Sequence, residues 1–212
     1  MRTAFGQTIV AAVFVASVAC ASAPKQSALL HNTPAGLGQY KYSDADVDFM
    51  SGMIPHHAQA VIMAAWAPTH GAREDVSILC GRILVGQSDE IKLMQTWLSD
   101  RGLPVPDGKS TKHTMKMGGM EHEMLMPGMM TDEQMAALDK ARGPEFDRLF
   151  LEGMIRHHQG AIDMVEVLEK SYGAMQEETI FKFANDVFAD QSIEIAKMHE
   201  MLDAKTVPPT IR

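Results

Sequence analysis

Apolar residues recur along this chain at three- and four-residue intervals in four separate stretches, the spacing of one face of a helix. Phe49, Met53, His56, Ala60, Met63 and Ala67 make the first stripe, and Val76, Cys80, Ile83, Gln87, Ile91, Met94 and Leu98 the second. Phe150, Met154, His157, Ala161, Met164 and Leu168 make the third, and Ile180, Ala184, Val187, Gln191, Ile195, Met198 and Leu202 the fourth. The punctuation agrees. Ser43 with Asp46 reads as a capping box, Pro68 and Gly71 end the first helix, Gly102 and Pro104 end the second, and Tyr172-Gly173 turns the chain into the last. Thr131 with Gln134 caps a short extra helix that stops at Gly143, and Pro144 opens the long third one. Pro55 falls inside the first stripe and predicts a kink, or the start of the regular part, of that helix. No segment sustains a period of two, so the pattern predicts an all-α fold.

The stripes are copies of each other. Phe49-Met-Ser-Gly-Met-Ile-Pro-His-His57 matches Phe150-Leu-Glu-Gly-Met-Ile-Arg-His-His158 at an offset of 101, and Gln87-Ser-Asp-Glu-Ile91 matches Gln191-Ser-Ile-Glu-Ile195 at an offset of 104. Each copy is a helical hairpin with an apolar stripe that it cannot cover alone. Two together bury both, which predicts a four-helix bundle with pseudo-twofold symmetry. A single domain over 43–205 follows, made of hairpin 43–102, connector 103–143 and hairpin 144–205.

Ahead of that domain, Arg2 precedes an apolar run from Ile9 to Ala19 and then small residues, the layout of a secretory signal over 1–21. Cleavage at Ala19-Cys20-Ala21 and lipidation of Cys20 are both open, so any membrane attachment would run through an N-terminal lipid. Residues 22–42 read as a tether. The protein is thus expected to be exported, as a periplasmic, secreted or lipid-anchored form. A net charge of −8 excludes nucleic acid as the natural partner. Two Cys cannot build a disulfide framework.

His56 and His157 sit in the middle of otherwise apolar stripes, with Met53 and Met154 about one turn before them and His57 and His158 about 100° around the helix. Gln87 and Gln191 interrupt the partner stripes. A buried polar group without a partner costs about 1–3 kcal/mol, so all six need partners. In one reading each His bonds Gln87 or Gln191, or Glu90 or Glu194, in a polar layer that fixes helix register. In the other, Met53, His56, His57, Met154, His157 and His158 bind a soft metal ion, with Gln87, Glu90, Gln191, Glu194 and His199 around them. Imidazole with thioether suits copper, Cu(I) above all, with Ag(I) or Cu(II) as further candidates. If ordinary neutral imidazoles bind the ion, affinity falls as pH drops through about 6.5. The Glu-x-x-His pattern of di-iron bundles is absent.

The chain carries 18 Met, and many lie in the connector. His113, Met115, Met117, Met120, His122, Met124, Met126, Met129 and Met130 are interleaved with Gly and Pro that deny a regular helix, so this stretch reads as a flexible loop with additional metal ligands. Thioethers have no proton to lose and form no disulfides, which suits an oxidising compartment. A linker, or a sticky patch for a protein partner, is the competing reading.

The duplicated Gly-Met-Ile-x-His-His motif, the Gln-x-x-Glu-Ile block and the Met-rich connector closely resemble the family known as domain of unknown function 305, with its copper-binding CopM-like members. The resemblance runs from about Asp46 to Leu202. It implies a ferritin-like four-helix bundle, copper or silver binding in metal tolerance, and the two Met/His/His sets as candidate ligands. A copper exporter or periplasmic chaperone is the partner this implies, and a homodimer is open. A cuprous-oxidase-like redox enzyme and a metal-free interaction domain are the alternatives; no nucleophile triad, phosphate loop or paired-carboxylate motif supports an enzyme.

Overall fold

The structure, a computed structural model, describes residues 42–117 and 120–204, with backbone alone over 113–117 and 120–122. The expected signal segment, Cys20 and the tether up to residue 41 lie outside the described residues. Tyr42, the last residue of that expected tether, belongs to the fold, because its ring packs edge-on against Trp97 with centroids 5.2 Å apart.

Four long helices form the bundle: α1 (Asp44–Ala65), α3 (Glu74–Ser99), α5 (Pro144–Glu169) and α6 (Glu178–Asp203). A short α2 (Ala67–His70) and α4 (Asp132–Lys140) complete the helices, and the connector adds β1 (His113–Met117) and β2 (Met120–Met124). The two expected capping boxes start α1 and α4. Pro55 lies inside α1, which runs on through it as a continuous helix. α3 packs on α1 and α6 on α5, while α1 and α5 meet across the centre. This is the expected four-helix bundle of two hairpins.

The repeat also sets how the hairpins lock. Asp46 caps α1 and accepts a hydrogen bond from Met175 N (2.9 Å), so the α5–α6 turn is tied to the start of α1. Asp147, its counterpart, accepts from Arg73 N (3.2 Å), tying the α2–α3 turn to the start of α5. Both aspartates are buried, and each reaches across to the other copy.

The apolar interior divides into two clusters. One gathers Phe49, Met50 and Met53 with Met94, Leu168 and Phe183; the other gathers Met63, Ile83, Phe146, Phe150, Met154 and Met198. Between them, midway along the helices, lies a layer of buried polar residues: His56, His57, His157, His158, Gln87 and Gln191. The helices are apolar on both sides of this layer, so its polarity is local.

The connector departs from the loop that the sequence predicts. β1 and β2 pair as an antiparallel ribbon. Beyond it, residues 126–130 lie as a strap across α1 and α5. Gln59 fixes the strap by donating to Met130 O (2.9 Å) and accepting from Met130 N (2.7 Å). On the other side a Cβ on Gly160 would lie 1.9 Å from Pro127 O, so only glycine lets the strap approach. Gln59 and Gly160 occupy equivalent places in the two repeats, and the copies diverge there to hold a strap that exists only once.

Candidate metal centre

His56 and His157, one from each hairpin, face each other at the middle of the bundle with ring centroids 3.8 Å apart. Each follows from its helix: the stripe that places Phe49, Met53 and Ala60 inward places His56 inward too, and the repeat does the same for His157. His57 and His158 stand at the flanks, 6.2 Å ring to ring from their neighbours, and all four imidazoles are fully buried.

The hydrogen bonds fix the state of the rings. His56 Nε2 lies 3.0 Å from Pro127 O on the strap, and His157 Nε2 lies 2.9 Å from the His56 carbonyl oxygen. A carbonyl can only accept, so both Nε2 atoms carry the proton and both Nδ1 atoms carry a lone pair. His158 Nε2 lies 2.7 Å from Glu194 Oε2. Glu90 Oε2 stands 2.8 Å from His57 Nε2, close enough for an ion pair but off the direction of an aligned hydrogen bond. The outer nitrogens of the layer thus meet carbonyls and carboxylates, the arrangement that orients a metal-binding imidazole and raises its basicity. In all four rings Nδ1 is buried without a hydrogen-bond partner.

Burial, together with the neighbouring His57, lowers the pKa of His56 to about 3, although the Pro127 hydrogen bond opposes the shift. Burial, with His56 and His158 close by, holds His157 well below the ordinary value. Both rings are therefore neutral over the whole physiological range, so proton competition near pH 6.5 is not expected at these two inner rings. An acid-labile fold follows. Between the unfolded value of 6.5 and the folded value near 3, the unfolded chain binds more protons at His56. Stability of the metal-free protein should then fall as pH drops below about 6.5, by on the order of 1 kcal/mol per pH unit from His56 and in the same direction from His157. Urea midpoints measured between neutral pH and about pH 5 will check this; flat midpoints would refute it.

The remaining expected residues are placed as follows. Met53 and Met154 are fully buried, one turn before the inner histidines. Gln87 and Gln191 do not bond the histidines. Both amide atoms of Gln87 and the amide oxygen of Gln191 are unpartnered, and the two side chains line a cleft of about 230 Å³ between α3 and α6. Glu90, Asp190 and Glu194 line the same cleft, with Arg82 as its cation. Burial and the neighbouring Glu90 and Glu194 raise the Asp190 carboxyl above its usual range. His199 is exposed on α6, away from the polar layer. Met129 and Met130, expected in a flexible loop, are buried on the bundle, and Met126 is half-buried against it. The Met130 side chain fills the space over Gly153, and that of Met126 the space over Gly52. Packing accounts for Met126 and Met130, because each small glycine leaves a hollow that a thioether fits, while Met129 is buried with its sulfur 3.3 Å from Met126 N. Sequence reasoning missed the strap contacts of His56. Their signal is the Gln59/Gly160 mismatch within otherwise matching repeats.

Among the described residues no three His, Cys, Asp or Glu side chains converge as a group that could hold a metal ion. An all-imidazole or carboxylate cage is therefore not formed, and an ion held here would take few nitrogen donors and draw on thioether sulfur. Four buried, unpartnered imidazole Nδ1 atoms, of which those of His56 and His157 carry lone pairs, and two buried thioethers fit a soft monovalent ion with a low coordination number.

The family described as "Domain of unknown function (DUF305)" matches residues 46–202. Among solved structures, the fold is similar to a DUF305 protein from Streptomyces coelicolor described as secreted, with a TM-score of 0.64, 24% identity, and coverage of 79% of this chain and 98% of that one. It is also similar to CopM in the Cu(I)-bound form, with a TM-score of 0.57, 28% identity, and coverage of 75% of this chain and 96% of that one. CopM has also been solved with Ag and with Cu(II). The uncharacterized protein L153 of Acanthamoeba polyphaga mimivirus is 33% identical over 58 residues, and the matched stretch spans 38% of that protein.

Proposed function

The chain belongs to the DUF305 family, and we propose that it is an exported protein that binds Cu(I), or the similar Ag(I), between its two hairpins for sequestration or handover. The observation that carries this reading is the set of four buried Nδ1 atoms without partners. Four such groups together would cost several kcal/mol if nothing used them, at about 1–3 kcal/mol each. Ligation by a soft cation removes that penalty. His56, His157, Met53 and Met154 are the inner donors, and His57 and His158 the flanking ones. The CopM structures with copper and silver, at 28% identity, support the choice of ion.

The cleft supplies a route. Its three carboxylates against one guanidinium attract cations toward His57 and His158, and Glu90 and Glu194 stand next to those rings. No helix among the described residues is long and apolar enough to cross a membrane. The exported location rests on the signal-type N-terminus.

Anaerobic titration of the mature chain with Cu(I) against a competing chelator tests the proposal. Stoichiometric binding is expected, together with loss of the tightest site in the His157→Ala, His158→Ala variant. Because His56 and His157 hold no proton at neutral pH, the contribution of these two inner donors to affinity should change little between neutrality and about pH 5. No binding above a metal-free control would overturn the reading.

A further inference from the structure

The histidine centre leaves unused the six His and Met residues between positions 113 and 124, and the ribbon orders them in a way that composition does not reveal. β1 and β2 pair with the register His113↔Met124, Thr114↔Glu123, Met115↔His122, Lys116↔Glu121 and Met117↔Met120. Successive strand positions alternate between the two faces. Positions 113, 115, 117, 120, 122 and 124 therefore share one face, and 114, 116, 121 and 123 share the other. Every His and Met of the ribbon falls on the first face, as three opposed pairs. Every charged residue of the ribbon falls on the second, where Glu123 is exposed and pairs with Lys112 at 2.6 Å.

We propose that the His/Met face of this ribbon is a second soft-metal site, separate from the bundle centre, that takes Cu(I) or Ag(I) between the strands. The inference rests on the same reading of the protein as a binder of soft monovalent ions. Directly opposed strand positions have Cβ atoms about 4.5–5.5 Å apart, a span that one ion bridges with a donor from each strand. Pairs two positions apart along a strand are about 7 Å from each other, so neighbouring pairs together offer up to four donors. Four of the six donors are thioethers, which bind without releasing a proton. Met124 at the ribbon's end is 46% exposed, so the face is open to solvent there. The ribbon has only two strands among the described residues. Such a ribbon is marginal in water on its own, and ligation across the strands supplies the cross-link it lacks.

Register, not composition, is what the proposal requires, and a rearranged chain separates the two. Exchanging neighbours by Met115→Lys with Lys116→Met, and Glu121→His with His122→Glu, keeps composition and charge but moves one Met and one His to the charged face. The test is an Ag(I) titration of the full mature chain, read by bound equivalents and by the amide resonances of the strands. In the parent, the strand amides should shift and exchange more slowly with solvent on adding Ag(I). The rearranged chain should lose about one equivalent and those shifts, with its helical circular dichroism unchanged. If it binds as the parent does, or if the parent's strand amides never respond, the ribbon site is refuted. Ribbon shifts retained in a chain whose bundle histidines contribute nothing to binding would instead refute the bundle site alone.

Discussion

Replacing His56 and His157 together with leucine is expected to abolish the tightest Cu(I) site and yet leave the metal-free protein at least as stable as the parent. The two rings are fully buried, and each presents a lone pair to an interior that offers it no donor. Exchanging such groups for apolar ones of similar size is near neutral or stabilising, by about 1 kcal/mol per removed orphan. The hydrogen bonds lost are modest in comparison. Pro127 is an exposed residue of the strap, and the His56 carbonyl still belongs to the helix. The variant should also lose the acid dependence of stability described above. Thermal unfolding without metal and a Cu(I) competition titration, run side by side, decide the matter. A large drop in melting temperature with binding intact would show that the histidines are structural and would sink the metal reading.

Gly160→Ala should produce the largest loss from a single methyl group. The added carbon would meet the carbonyl carbon of Pro127 at 2.4 Å and the amide nitrogen of Gly128 at 2.7 Å, all backbone atoms. No rotamer change relieves a clash with backbone, so the strap must lift, at about 3 kcal/mol, the upper end of ordinary overpacking. Lifting it also removes the acceptor that holds the His56 proton on Nε2. Cu(I) affinity should therefore fall with stability, although residue 160 touches no donor. Denaturant midpoints and a Cu(I) titration of the same preparation will show whether the two decline together. Ala161→Gly, one residue on and away from the strap, serves as the comparison; unchanged Cu(I) affinity in Gly160→Ala would disprove the coupling.

The helices, their order and the polar layer were legible because side-chain pattern carries them. A stripe that is apolar except for His56 and Gln87, and again except for His157 and Gln191, can only mean buried polar groups. What the sequence hides is recognition by backbone atoms. His56 bonds Pro127 O, His157 bonds the His56 carbonyl, and Gln59 holds both backbone polar atoms of Met130; none of these backbone groups depends on side-chain identity. The partners of the flanking histidines proved to be Glu90 and Glu194 and not the glutamines, a choice set by which of two neighbouring polar positions faces the ring. The ribbon escaped notice for a different reason. Its period of two extends over only five residues on each strand, too short to stand out in a segment rich in Gly and Met. Met126 and Met130 read as excess thioethers in the sequence because the hollows over Gly52 and Gly153 are not visible in the order of residues.

Duplication gives this bundle its donors in twos, but a chain has only one link between its halves. That link became the strap, and it lies over α1 and α5, next to His56, leaving the side of the acidic cleft between α3 and α6 uncovered by it. The flanking histidines His57 and His158 thereby lie toward the uncovered side, and the inner histidines His56 and His157 behind them. An ion entering or leaving has a covered side and an open side. Exchange with any acceptor is then expected to be vectorial, passing His57 and His158 before it reaches His56 and His157, even though the repeat that built the site has no direction of its own.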